Sequence, residues 1–137
     1  MKFLTSLNTI LSAKAATGIG TTVNVEEWDE IIVEIATASS ANLTMKLQGS
    51  VSDSAPTFSS AASASNHWVY LSFRDAEGVA SELADATAGA TGFVVAGTDA
   101  FKIVTIPVKG LKWLNAEVTA RAAGSVTVKA RGVKYVN

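Results

Sequence analysis

Cysteine is absent from the 137 residues, histidine occurs once and proline twice. Without cysteine there are no disulfides, no thiolate nucleophile and no cysteine-ligated metal. A free-standing secreted β-domain of this size often carries a disulfide, so the absence leans towards a protein assembled inside a cell. The lone His67 cannot build a histidine-rich zinc site, and no partners for a Ser-His-Asp arrangement are evident. It opens an expected strand beside Trp68 and reads as a structural residue. An excess of either charge is missing too: eleven Lys and Arg stand against twelve Asp and Glu, a formal charge of −1. That balance gives no basic surplus for nucleic acid and only weak repulsion between copies. Long apolar runs are also lacking, and nothing approaches a membrane-spanning helix. The start of the chain, with Phe3, Leu4, Leu7, Ile10 and Leu11, superficially resembles a leader. Thr5, Ser6, Asn8, Thr9 and Lys14 interrupt it, so it is not read as one.

What is present argues for order. Hydrophobic residues make up 48% and charged residues 17%, outside the range of disordered chains. Much of the apolar share is alanine, and the length suits one core. Residues 1–16 are expected to form an N-terminal arm and residues 17–137 a single β-domain. In the arm, Phe3, Leu7, Ile10 and Leu11 fit a helical face with Leu4 beside it. The threonine and serine content fits an extended arm equally well.

From Thr22 onwards the pattern is that of strands. Ile31, Val33 and Ile35 alternate with Ile32, Glu34 and Ala36. Beyond a Ser-Ser-Ala-Asn stretch, Leu43, Met45 and Leu47 alternate with Thr44, Lys46 and Gln48. These two runs are expected to pair as a hairpin. The same reasoning makes a closing hairpin of Trp113–Arg121 and Ser125–Arg131, turning at Ala123-Gly124, where glycine supplies positive φ. Further strands are expected at Thr22–Val25, His67–Phe73, Phe93–Val95 and Phe101–Val108, with Pro107 near a strand end. Gly49–Asn66 is a long loop anchored by Pro56 and Phe58, and Arg74–Gly92 a second one with a helical turn near Val79–Leu83. The sum is an all-β fold: an antiparallel β-sandwich or jelly roll of about eight strands.

No catalytic constellation emerges. Glu26-Glu27-Trp28-Asp29-Glu30 is the densest charge run, and its place at a strand start marks a solvated turn. Calcium needs only oxygen ligands, yet no Asp-x-Asp-x-Asp-Gly loop is present. Gly18-Ile19-Gly20 and Gly89–Gly92 lack the lysine and hydroxyl of a phosphate loop. Trp28 and Trp68 read as packing residues. Trp113 is expected to be exposed and to mark an interface or, alternatively, a sugar platform. The basic tilt of the C-terminal half, Lys102 to Lys134, is read as a solvated face, with head-to-tail subunit contacts as the other option. No enzyme, cofactor or metal site is assigned.

V-N-V-E-E-W-D-E-I-I-V-E-I, L-T-M-K-L-Q-G-S-V-S-D-S-A-P-T-F, G-L-K-W-L-N-A-E-V-T and G-S-V-T-V-K-A-R-G together resemble small structural proteins of tailed bacteriophages. The layout, over residues 20–134, is similar to auxiliary head proteins, which decorate and cement an assembled capsid. That resemblance implies a non-enzymatic virion protein made in the host cytoplasm and carried on the capsid surface. Its implied partners are the major capsid protein and copies of itself, as a homotrimer, with no nucleic acid or membrane. Phe3, Leu4, Leu7, Ile10, Leu11 and Trp113 are the expected contact residues. The alternative is a carbohydrate-binding or receptor-binding β-sandwich module of a phage tail or fibre, with Trp113 or Trp68 as its stacking face.

Overall fold

The computed structural model describes residues 2–5, 7–72, 74–75, 93–106 and 110–136. The expected helical turn at 79–83, the 84–92 loop with Gly89 and Gly92, Phe73, Pro107 and Lys109 lie outside them.

Ile31, Val33, Ile35, Leu43, Met45 and Leu47 are all odd-numbered, and this shared parity lets one strand carry both apolar runs to the same face. That is what the chain does. Strand β5 runs unbroken from Glu30 to Ser50, and strand β10 from Trp113 to Tyr135. The two pair antiparallel from Trp113↔Ser50 to Val133↔Glu30. Both expected hairpins are therefore corrected: each half of β5 pairs with β10, not with the other half. Alternation within each run is the same for a chain that doubles back and for one that bends; what separates them is the odd parity shared across the two runs.

The remaining elements are β1 Lys2–Leu4, β2 Asn8–Lys14, β3 Gly18–Ile19, β4 Val23–Asn24, β6 Val69–Leu71, β7 Arg74–Asp75, β8 Phe93–Gly97 and β9 Phe101–Ile106. All ten strands join one antiparallel sheet, and no helix occurs among the described residues. The all-β expectation holds, with the strands in one continuous sheet that curls as a half-barrel. The N-terminal segment is extended. β1 and β2 pair with the C-terminal half of β10, so this stretch is an edge of the sheet itself.

The curl has a line. β2–β3, β10, β5 and β8–β9 all turn at the same level, near residues 15–17, 122–124, 39–40 and 98–100. Among the described residues, seven of the eight with positive φ sit beside it: Ala13, Gly18, Ser39, Ser40, Gly97, Asp99 and Gly124. Left-handed backbone at a non-glycine residue costs roughly 1–2 kcal/mol, so the corner needs bonds to hold it. Thr37 supplies several. Its N–H and hydroxyl donate to the Ala100 carbonyl, and its hydroxyl oxygen accepts from the Ala100 N–H. Ser40 and Thr98 share a hydroxyl–hydroxyl bond of 3.0 Å, and Arg121 Nε donates to the Gly124 carbonyl.

On either side of the line lie two layers. One holds the first half of β5, the second half of β10, β9, β7, β1 and β2; the other holds the second half of β5, the first half of β10, β3, β4, β6 and β8. Their inward residues form one core, including Ile31, Val33 and Ile35 from the first and Leu43, Met45, Leu47, Leu114 and Val118 from the second. Ile10 and Leu11 of β2 belong to that core.

At Gly124, φ is +69°, and a Cβ would collide with the Cα of Ala41 and the carbonyl oxygen of Ala38. Gly110 also has positive φ, +83°, but nothing lies within 4 Å of its Cβ position. Gly124→Ala is expected to lower unfolding free energy by about 2–4 kcal/mol and Gly110→Ala by about 1 kcal/mol. Urea denaturation of the two variants checks this; equal losses would show that the corner is not close-packed.

Candidate functional site

The outward face of the second layer carries a cluster of aromatic and charged side chains. Lys46 on β5 and Glu117 on β10 are cross-strand partners and point away from the core, opposite in phase to Met45 and Val118. Tyr70 on β6 pairs with Gln48 and joins the same face. Its hydroxyl donates to Glu117 Oε1 at 2.8 Å, and the Lys46 ammonium lies 4.2 Å from its ring centroid. Trp68, two residues earlier, meets Tyr70 edge-on at 4.9 Å and Phe58 at 6.0 Å. Phe58 is buried and anchors the long loop, as expected, with Gln48 Nε2 donating to its carbonyl.

Loop residues wall this face, and side-chain bonds hold them. Asn66 Nδ2 reaches the carbonyls of Thr57, Ser60 and Ala61, while its Oδ1 accepts from Thr57 N–H. The Trp68 indole N–H donates to the Ser60 carbonyl at 2.9 Å. His67 Nε2 lies 2.6 Å from the Ala64 carbonyl oxygen, a loop-fixing contact. Between wall and sheet runs an open groove of about 380 Å³, lined by Phe58, Ser59, Ser60, Ala61, Ala62, Trp68, Val69, Tyr70 and Glu117.

Of the residues expected from sequence, Trp68 lines this groove and the others fall elsewhere and apart. Phe3, Leu4 and Leu7 are exposed, at 50%, 55% and 46%. Ile10 and Leu11 are a correction: both are buried in the core and offer no contact surface. Trp113 is part-buried, its indole N–H donates to the Ser52 carbonyl, and it does not line the groove. Trp28 packs on the core edge and lies so close over Gly132 that a Cβ there would strike its ring. Three of the four carboxylates in the acidic run, those of Glu26, Asp29 and Glu30, have partners. Asp29 Oδ2 accepts from the Tyr135 N–H, Glu30 Oε2 from the Tyr135 hydroxyl, and Glu26 sits 3.7 Å from the Lys112 ammonium. Among the described residues, no three His, Cys, Asp or Glu side chains are placed to hold a metal ion.

Sequence reasoning missed Lys46, Tyr70 and Glu117. Each sits at an outward position of its strand, but only the pairing register brings them together.

No protein-family model matches this chain, and no curated protein matches it by sequence. A solved structure does share the fold. The SPBc2 prophage-derived protein YomS aligns with a TM-score of 0.63 over 98% of this chain and 96% of its own, at 18% identity.

The Tyr70 hydroxyl is pushed up from 10.0 to about 12, first by burial, then by its bond to Glu117 and by repulsion from that carboxylate. A raised folded value means the phenol's contribution to stability is complete below about pH 10 and is lost as pH climbs through about 12. In a Tyr135→Phe background, phenolate absorbance read immediately after a pH jump should therefore rise near pH 12, and Glu117→Gln should lower that midpoint only in part. A midpoint at the ordinary tyrosine value would show that Tyr70 is neither buried nor paired with Glu117.

Proposed function

We propose that this chain is a non-enzymatic structural protein of a tailed-phage virion, a decoration or cement protein that binds the outer capsid surface. One observation carries the reading. Strand β1 lies at an edge of the sheet, beside the C-terminal end of β10. There Phe3, Leu4, Leu7, Tyr135 and Val136 are all at least 40% exposed. Exposed apolar side chains gathered along a strand edge are what a partner subunit covers, by packing and by strand addition.

The fold likeness to a prophage-derived protein supports the phage context, and the resemblance of the sequence to auxiliary head proteins supports the capsid. In this reading the curled sheet is the β-sandwich body, of jelly-roll class, that keeps the edge rigid. The partners are the major capsid protein and further copies of this chain, as a homotrimer. Many weak edge contacts acting together give durable attachment. The protein is made in the host cytoplasm and resides on the virion.

Attachment and folding separate along the N-terminal segment. Removing residues 1–7 deletes the exposed apolar side chains of β1 and leaves Ile10 and Leu11 in place. That variant is expected to fold, to melt close to wild type and to lose co-sedimentation with empty phage capsids. Removing residues 1–16 empties the core of two large side chains, each worth about 2–5 kcal/mol, and is expected to unfold the chain. Light scattering with and without capsids reads mass and binding together. Capsid binding undiminished in the 1–7 deletion, or absent in wild type, would overturn the reading.

A further inference from the structure

We propose that the groove over Trp68, Tyr70 and Glu117 binds a carbohydrate, taking a pyranose ring as its unit. The inference stands on the outward face of the second layer and is independent of the attachment edge.

The lining has the two-sided character of a sugar. A pyranose presents apolar C–H faces bordered by hydroxyl groups, and it needs an aromatic floor with a polar rim. Trp68 and Tyr70 supply the aromatic surface, with buried Phe58 packed against Trp68 as its support. Glu117 supplies the rim: its carboxylate takes one bond from Tyr70, and a carboxylate can accept about four in all. Ser59 and Ser60 stand on the opposite wall. A volume of about 380 Å³ lies within the range of ligand pockets, roughly 300–1,000 Å³. The groove is open on its outer side, as suits one unit of a longer glycan.

Other ligand classes fit less well. A lipid chain would be seated against the Glu117 carboxylate, whose desolvation is unfavourable. Among the described residues β6 pairs with β5 alone, so an extended peptide would add along its outer edge, beside the groove, and leave the Tyr70 ring and the Glu117 carboxylate unused. The wall is also held ready. Asn66 and the Trp68 indole bind the carbonyls of Thr57, Ser60 and Ala61, so little loop ordering remains when a ligand arrives.

The test is a microarray of bacterial-surface and plant oligosaccharides, followed by isothermal titration of any sugar retained. Wild type is expected to bind at least one oligosaccharide. Trp68→Ala is expected to weaken that binding about tenfold or more, by loss of an aromatic contact. Because Trp68 also braces the loop, Glu117→Gln provides the second variant. It keeps an acceptor for Tyr70, is expected to fold as wild type, and should weaken binding several-fold. Trp113→Ala, outside the groove, should bind as wild type. No retained sugar, equal binding by Glu117→Gln, or loss of binding only in Trp113→Ala would each overturn the proposal.

Discussion

The pairing of β5 with β10 is the constraint on which everything else in this molecule depends. Two strands of more than twenty residues share one ladder from end to end, and every other strand except β7 adds to an edge of one or the other. A flat ladder of that length would leave its apolar face in water. Curling the sheet along a line through Ser39–Ser40 and Gly124 brings that face onto itself and closes one core. The corner is locally unfavourable, with left-handed backbone at Ala13, Ser39, Ser40 and Asp99. It persists because burial on both layers, and the Thr37–Ala100 bonds at the turn, outweigh it.

The same line explains a second joint. β2 lies on one layer and β3 on the other, so the segment between them must cross. Beyond that crossing, fully buried Asn115 bridges the gap between β3 and β4. Its Nδ2 donates to the Gly20 carbonyl and the Thr22 hydroxyl, and its Oδ1 accepts from the N–H groups of Gly20 and Ala116. One amide replaces the ladder bonds that the gap between β3 and β4 interrupts. Next to it, Thr21 N–H donates to the Ile10 carbonyl and ties the two layers at that side. The N-terminal segment is thus bound into the sheet by backbone bonds as well as by Ile10 and Leu11.

Much of this was legible in the sequence, and one error was avoidable. Strand positions and inward parity followed from alternation, and Gly124 was found as a positive-φ corner. The hairpin between the halves of β5 was contradicted by parity itself. A loop of four residues, Ser39 to Asn42, pairs 38 with 43 and therefore Ile35 with Lys46. Cross-strand partners share a face, so an inward residue would oppose an outward one. Pairing with β10 has no such conflict: Ile35 meets Val128 and Met45 meets Val118, all inward. For the N-terminal segment, parity offered no help. Ile10 and Leu11 are adjacent, yet both are buried, because the register of β2 against β10 shifts beside Leu11. An irregularity of that kind has no signature in composition or period.

The groove shows where sequence reading stops for a physical reason. Trp68 and Trp113 looked alike as strand aromatics, and the difference between them lies in the covering loop. Trp113 gives its indole N–H to Ser52, at the loop's beginning, while Trp68 gives its own to Ser60, at the wall of the groove. The loop's course is set by Asn66 and by Phe58, through single side-chain bonds that no periodicity encodes. It follows that the two surfaces of this protein are organised by different means. The β1 edge is a product of the sheet and its register, whereas the groove is a product of one loop folded over the sheet's outer face. Under the proposed attachment by the β1 edge, the outer face of the other layer would stay uncovered by that contact. If both proposals hold, individually weak glycan contacts repeated over many attached copies would add as avidity and not as single-site affinity.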